Sequence, residues 1–174
     1  MAVPPVTLRA NTDPSFVGVA ALTARHAAQV ADFEAWAAAG QWAQFHHGHY
    51  DWWAYPIMRS SAYGRAYTVY EAEIAQLNAD PQFVERHRRG LQLGALAWGW
   101  NVPTAAPVAA PAPGQVWSHW PVRLHKMARS AREFGYDAVF ESLAVYAKRL
   151  MAQGEVFQYG GHDLSWLFTG GREP

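Results

Sequence analysis

His46 to Ile57 reads HHGHYDWWAYPI, which puts three histidines, one aspartate and four aromatic residues into twelve positions and closes beside a proline. If Tyr50 to Tyr55 forms a helical turn or two, Trp52 and Tyr55 share one side and Trp53 takes the next ridge, because residues three apart are neighbours on a helix. Pro56 bars Tyr55 from the α region and ends the segment. An aromatic side chain buries roughly 150–250 Å², so this run is expected to be the plug of a core. The same run holds the densest set of metal-capable groups in the chain: His46, His47, His49 and Asp51. His46 and His49 would share a helical face, but Gly48 between them disfavours helix. Neither an H-E-x-x-H run nor paired Cys/His clusters accompany them. A metal-dependent hydrolase built on these four residues, in which the ion acidifies a bound water, is therefore the alternative reading and not the leading one.

Working outward, 174 residues suffice for one domain with a real core. Hydrophobic residues make up 51% and there are nine tryptophans, which argues against disorder. Fourteen basic residues balance fourteen acidic ones, so no global field selects nucleic acid or an acidic membrane. The absence of cysteine removes disulfides, thiolate nucleophiles and cysteine-ligated metals. No apolar run approaches the roughly 18 residues of a membrane span, and MAVPPVTLRANTDPS lacks the pattern of a signal peptide. A cytoplasmic protein with no cofactor is expected.

The remaining segments punctuate themselves. Residues 1–15 read as an extended arm. Leu22, His26, Val30, Phe33 and Ala37 recur at helical spacing between Phe16 and Ala39, with Gly40 as the stop and Gln41 to Phe45 as a short second piece. Arg59 to Arg65 reads as a surface loop. Thr68 and Glu71 form a T-x-x-E capping box for a helix from Val69 to about Asn78. Asp80 followed by Pro81 opens another helix running to Trp98, whose Gly90 and Gly94 point to close packing. Residues 101–116, NVPTAAPVAAPAPGQV, form an uncharged Ala/Pro-rich connector. Pro121 starts a helix that Gly135 closes; Leu124, Met127, Ala128, Ala131 and Phe134 make its apolar side, with Arg123, Lys126, Arg129 and Arg132 on or beside the opposite one. Asp137 caps a helix that ends at Gly154. Val156 to Tyr159 is briefly extended, Asp163 caps a last turn, and residues 169–174 form a flexible tail. No segment sustains period-two alternation. The expected fold is all-α: a single-domain bundle of six to seven helices with a long crossover.

The order of these features resembles the conserved helical region of the opioid growth factor receptor family. The positions that carry the resemblance are Tyr50, Trp53, Pro56 and Ile57, then Glu73, Ile74, Phe83 and Arg86, then Arg123, Leu124, Ser130, Gly135 and Tyr136, with Asp163 and Phe168 near the end. They span roughly Ala31 to Phe168, and each motif is short and of core type. The resemblance implies an all-helical domain. The family's activity is binding of an opioid peptide, but no peptide-contacting residue transfers, and the connector, C-terminal repeats and a nuclear-localisation run do not match it.

Recognisable catalytic and phosphate-binding patterns are missing: no G-x-S-x-G, no G-x-x-x-x-G-K-[ST], no G-x-G-x-x-G. Two features remain. Arg86 and Arg89 in one helix, with Arg123 and Lys126 in another, would form a cationic strip for an anion if those helices pack side by side. No aromatics interleave with these charges, which argues against nucleic acid. The second feature is a candidate cleft of His46, His49, Tyr50, Trp53, Trp98 and Trp120, whose rings offer stacking surfaces and polar tips. A non-catalytic domain binding a peptide, protein or small ligand through that cleft is the leading functional expectation.

Overall fold

The computed structural model describes residues 4–174; the first three positions of the expected N-terminal arm lie outside it. Seven helices order the described chain: α1 Val19–Ala38, α2 Asp51–Ala54, α3 Glu71–Asn78, α4 Pro81–Leu96, α5 Pro121–Glu133, α6 Asp137–Ala152 and α7 Trp166–Thr169. A 3-10 turn, Trp42–His46, precedes α2. Two antiparallel strand pairs interrupt the helical pattern, β1 Trp100–Asn101 with β2 Ala106–Pro107, and β3 Gln158–Tyr159 with β4 His162–Asp163. The fold is thus predominantly helical. None of its helices, among the described residues, is long and apolar enough to cross a membrane.

Most helix boundaries follow local chemistry. Asp80 caps α4 by accepting from Gln82 N–H at 3.0 Å, with Pro81 in the first turn where its missing N–H costs nothing. Gly40, Gly135 and Gly154 adopt positive φ of 67°, 79° and 96° just past α1, α5 and α6. The start of α3 differs from expectation. The helix begins at Glu71, not Val69, and it is Glu73 that closes the box, accepting from Tyr70 N–H at 2.9 Å. Thr68 instead donates its hydroxyl to Arg59 O, and so fastens the preceding loop.

α1 lies against α4, and α5 against α6. Gly90 lets α1 come close, since a Cβ there would stand 3.3 Å from a Val30 methyl. Gly94 faces the Tyr55 hydroxyl and the Met127 methyl group, leaving no room for a side chain. Between them the aromatic core assembles: Phe33 stacks on Phe45 at 5.0 Å between ring centres and meets Tyr50 edge-on at 4.8 Å. The His46–Ile57 run is the plug in part. Tyr50, Ala54, Tyr55 and Ile57 are buried, whereas Trp52 and Trp53 are half-buried at its edges. Its helix is one turn long, and Tyr55 already leaves helical geometry (φ −132°, ψ 66°) ahead of Pro56.

The connector is ordered by its own contacts. Val108 N–H donates to Gly99 O, Gln115 bridges Ala112 N–H and Leu96 O, and Gly114 sits against Ala43 where a Cβ would be 2.9 Å from its backbone nitrogen. At the C-terminal end, expected as a flexible tail, Glu173 is held by Arg59 at 3.0 Å and Arg129 at 2.8 Å.

Candidate functional site

The site begins with the face that α5 turns to the plug. The expectation of a solvated cationic side on this helix is not met: every residue from Arg123 to Ala131 is buried. The helix is covered by α2, α4, α6 and β3 together, so its polar side chains must find partners inside the protein. They do so by gripping the chain from Phe45 to Met58 turn by turn. Arg123 donates from Nε to Asp51 Oδ1 at 2.7 Å, from Nη1 to Phe45 O at 2.6 Å and Tyr50 Oη at 2.9 Å, and from Nη2 to Gly48 O at 2.8 Å. Trp120 and Tyr50 flank the guanidinium, their ring centres 3.9 and 4.3 Å from Cζ. Ser130 donates to Pro56 O at 2.8 Å, and Glu133 accepts from Met58 N–H at 2.8 Å while pairing with Arg129 at 2.6 Å. Gly48, at φ 76°, gives the bend that aims its carbonyl at Arg123.

Lys126, one turn beyond Arg123, is the exception in this series. It is 8% exposed, its Nζ lies 3.3 Å from the Trp52 ring centre, and it has no hydrogen bond or ion pair among the described residues. Burial pushes its pKa from 10.5 down to about 8; attraction to Asp51 resists that fall and the Arg123 charge adds to it. Asp51 is already bonded to Arg123 and does not pair with the lysine.

Lys126 opens onto a cavity of about 360 Å³. Trp52 and Ile57 line it from the plug, Val122, His125 and Lys126 from α5, Arg59 to Ala62 from the following loop, and Tyr159, Gly160, His162 and Leu164 from the β3–β4 hairpin. That hairpin turns through Gly160 and Gly161 at φ 57° and 78°, the pair of left-handed residues that a tight two-residue turn requires. His125 ties it to α5 through Nδ1 and Leu164 O, 3.1 Å apart. Burial holds this imidazole at a pKa of about 4, with the charges of Arg129 and Arg59 acting the same way. It is therefore neutral at pH 7, the Nδ1 hydrogen donated to the carbonyl and the lone pair on Nε2. The Trp52 Nε1 hydrogen is buried with no acceptor among the described residues.

The structure places the expected site residues as follows. Of the aromatic cleft, Tyr50 is buried against Arg123, Trp53 donates to Gln29 Oε1 at 3.0 Å beneath the Arg25 guanidinium, and Trp98 donates to Ser118 Oγ at 2.9 Å. His46 Nε2 lies 2.7 Å from Gly114 O, and His49 meets Trp120 edge-on. None of these six lines the Lys126 cavity. His46, His47, His49 and Asp51 do not converge, and no group of three or more metal-capable side chains exists among the described residues. The four cations are likewise separated. Arg89 pairs with Glu34 and, with Arg86, lines a separate cavity of about 280 Å³ between α1 and α4, Arg123 is spent on Asp51, and of the four Lys126 alone lines the cavity beside the plug. The loop and hairpin residues Arg59, Tyr159, His162 and Leu164 carried no motif that would have singled them out. Set beside family models, curated proteins and solved structures, the chain matches none.

Proposed function

We propose that the chain is a non-catalytic small-ligand-binding domain whose site is the Lys126 cavity, and that its ligand is compact, largely apolar and carries one acidic group. Lys126 itself carries the argument. Withdrawing an ammonium from water is costly unless it is paired, and here it stands, largely buried, at the wall of a ready cavity with the Trp52 ring beside it and no carboxylate bonded to it. An acidic ligand group supplies that partner. The Trp52 ring adds an aromatic surface to the same wall. Arg59 also lines the cavity, and its one side-chain hydrogen bond is from Nη1 to Glu173. Ile57, Val122 and Leu164 supply the apolar remainder, and the volume lies at the lower end of the roughly 300–1,000 Å³ of ligand sites.

The resemblance to the opioid growth factor receptor family belongs to this proposal at the level of fold. It is supported by the burial of Tyr50, Ile74, Phe83, Arg123, Leu124, Ser130, Tyr136 and Phe168 among its matching positions. A cytoplasmic location belongs to it too, supported by the cysteine-free sequence.

Thermal unfolding with 3-phenylpropanoate and with its neutral amide tests the reading. At a ligand concentration about a hundredfold above Kd the acid stabilises by about 2.7 kcal/mol, which for a chain of this size is a rise of roughly 5–10 °C. The amide gives little, and Lys126→Met loses the rise. A panel of small apolar acids that leaves the transition unmoved, or moves it equally in Lys126→Met, defeats the proposal.

A further inference from the structure

We propose that Lys126 captures its ligand covalently: an apolar acid that also carries a ketone or aldehyde is held in the cavity as an imine on the lysine nitrogen. This rests on the binding reading above and adds a reaction to it. The first support is placement. Lys126 lines the cavity with no hydrogen bond or ion pair among the described residues, so only its contact with the Trp52 ring must be given up before it can attack. The second is the residue type. Of fourteen basic residues only Lys126 and Lys148 are lysines, the rest being arginines, and only Lys126 is buried. Arginine holds its proton under all ordinary conditions, whereas a primary amine can release one and become a nucleophile. Burial makes that release accessible: at a pKa of about 8 the neutral amine is about a tenth of the population at pH 7, at least a hundredfold more than for an ordinary lysine. The third is division of labour. A simple acid pairs with Lys126, whereas for a keto acid the carboxylate passes to Arg59 at the rim and Lys126 meets the carbonyl.

The bond changes balance without an outside reagent. The neutral amine adds to the carbonyl carbon, forming C–N as the carbonyl π pair moves to oxygen. A proton passes from nitrogen to that oxygen, for which the neutral His125 on the same wall is a relay. A second proton, equivalent to the one the ammonium gave to solvent on becoming neutral, reaches that hydroxyl from water; the C–O bond then breaks, water departs, and the nitrogen lone pair closes the C=N bond of a protonated imine. Water is the sole by-product and the step reverses on hydrolysis.

The full chain incubated with phenylpyruvate and sodium cyanoborohydride near neutral pH, followed by peptide mass mapping, tests this. The expected product is a secondary amine at Lys126, more than about tenfold over Lys148, suppressed by excess 3-phenylpropanoate and losing its site preference in denaturing urea. Lys126→Arg keeps the charge, so it retains stabilisation by 3-phenylpropanoate but gives no such adduct. Equal labelling of the two lysines, or a preference that survives urea, overturns the proposal. If 3-phenylpropanoate stabilises the fold while phenylpyruvate leaves no adduct at Lys126, the imine is refuted and the binding reading stands. If neither acid stabilises the fold and no adduct forms, both fall.

Discussion

Lowering the pH attacks this fold through its buried imidazoles. His26 is fully buried against Phe83 and His87, neither ring nitrogen having a hydrogen-bond partner of good geometry, although the Ala54 backbone lies near enough to offset a little of the burial. Burial, aided by the Arg86 charge, drops its pKa from 6.5 to about 3. His87, also fully buried, contacts Tyr136 Oη and Ser130 Oγ and is held well below its ordinary range by burial and by His26. His125, at about 4, is the third. All three are neutral in both states above pH 6.5, so their contribution to stability is undiminished there. Below it the unfolded chain takes up three protons that the native state refuses, and stability falls with pH. Each refused proton costs about 1.36 kcal/mol per pH unit, hence about 4 kcal/mol per unit for the three, and roughly 6 kcal/mol in total by about pH 5. Against the roughly 5–15 kcal/mol of an ordinary domain, that is enough to bring unfolding into the range of pH 4–5. Glu133, whose pKa burial raises, works slightly against the loss, while Glu34, its pKa lowered chiefly by the hydrogen bond from Arg89, adds to it at lower pH. Urea denaturation at constant ionic strength, from about pH 7.5 to pH 5, reads the slope directly. His26→Leu removes one proton and reduces the slope by about a third. Stability that stays flat over this interval, or a slope untouched by His26→Leu, refutes the reasoning.

Two further substitutions probe the packing that positions the site. Arg123→Met leaves Asp51 charged, buried and unpaired, and strips donors from the Phe45 and Gly48 carbonyls; the expected loss is about 3–5 kcal/mol, read by calorimetry as a fall of roughly 6–20 °C. A loss under about 1 kcal/mol would show that the buried pair is not what holds the plug to α5. Gly94→Ala drives a methyl group into the Tyr55 hydroxyl and Met127 and is expected to destabilise by about 1–3 kcal/mol despite the better helix propensity of alanine. Gly90→Ala meets only a Val30 methyl and a Phe33 ring edge at ordinary contact or slightly less, so its change stays within about 1 kcal/mol; equal effects at the two positions would contradict the packing described.

The sequence by itself determined where the longer helices start and stop, because those signals act over a few bonds. Pro81 and Pro121 fix φ and lack a donor, Asp80 reaches its own helix two residues on, and Gly40, Gly135 and Gly154 reverse the chain where a side chain would clash. It also showed that the His46–Ile57 run belongs with the core, since Tyr50 and Tyr55 have too much ring to leave in water. Of the short strand pairs only the extended run at Val156 to Tyr159, which holds β3, was legible; its pairing with β4 and the whole of β1–β2 escaped it, two residues a side being too few for any alternation to register. Only the tertiary structure decided what the charges of α5 are for. Arginines and lysines spaced at every turn read the same whether they face solvent or grip buried partners, and the partners here stand far away in the chain: Asp51 for Arg123, Leu164 for His125, Glu173 for Arg129. Lys126 differs from its neighbours solely by what folding withholds from it. That is a property of the surrounding space, and no spacing along the chain encodes it.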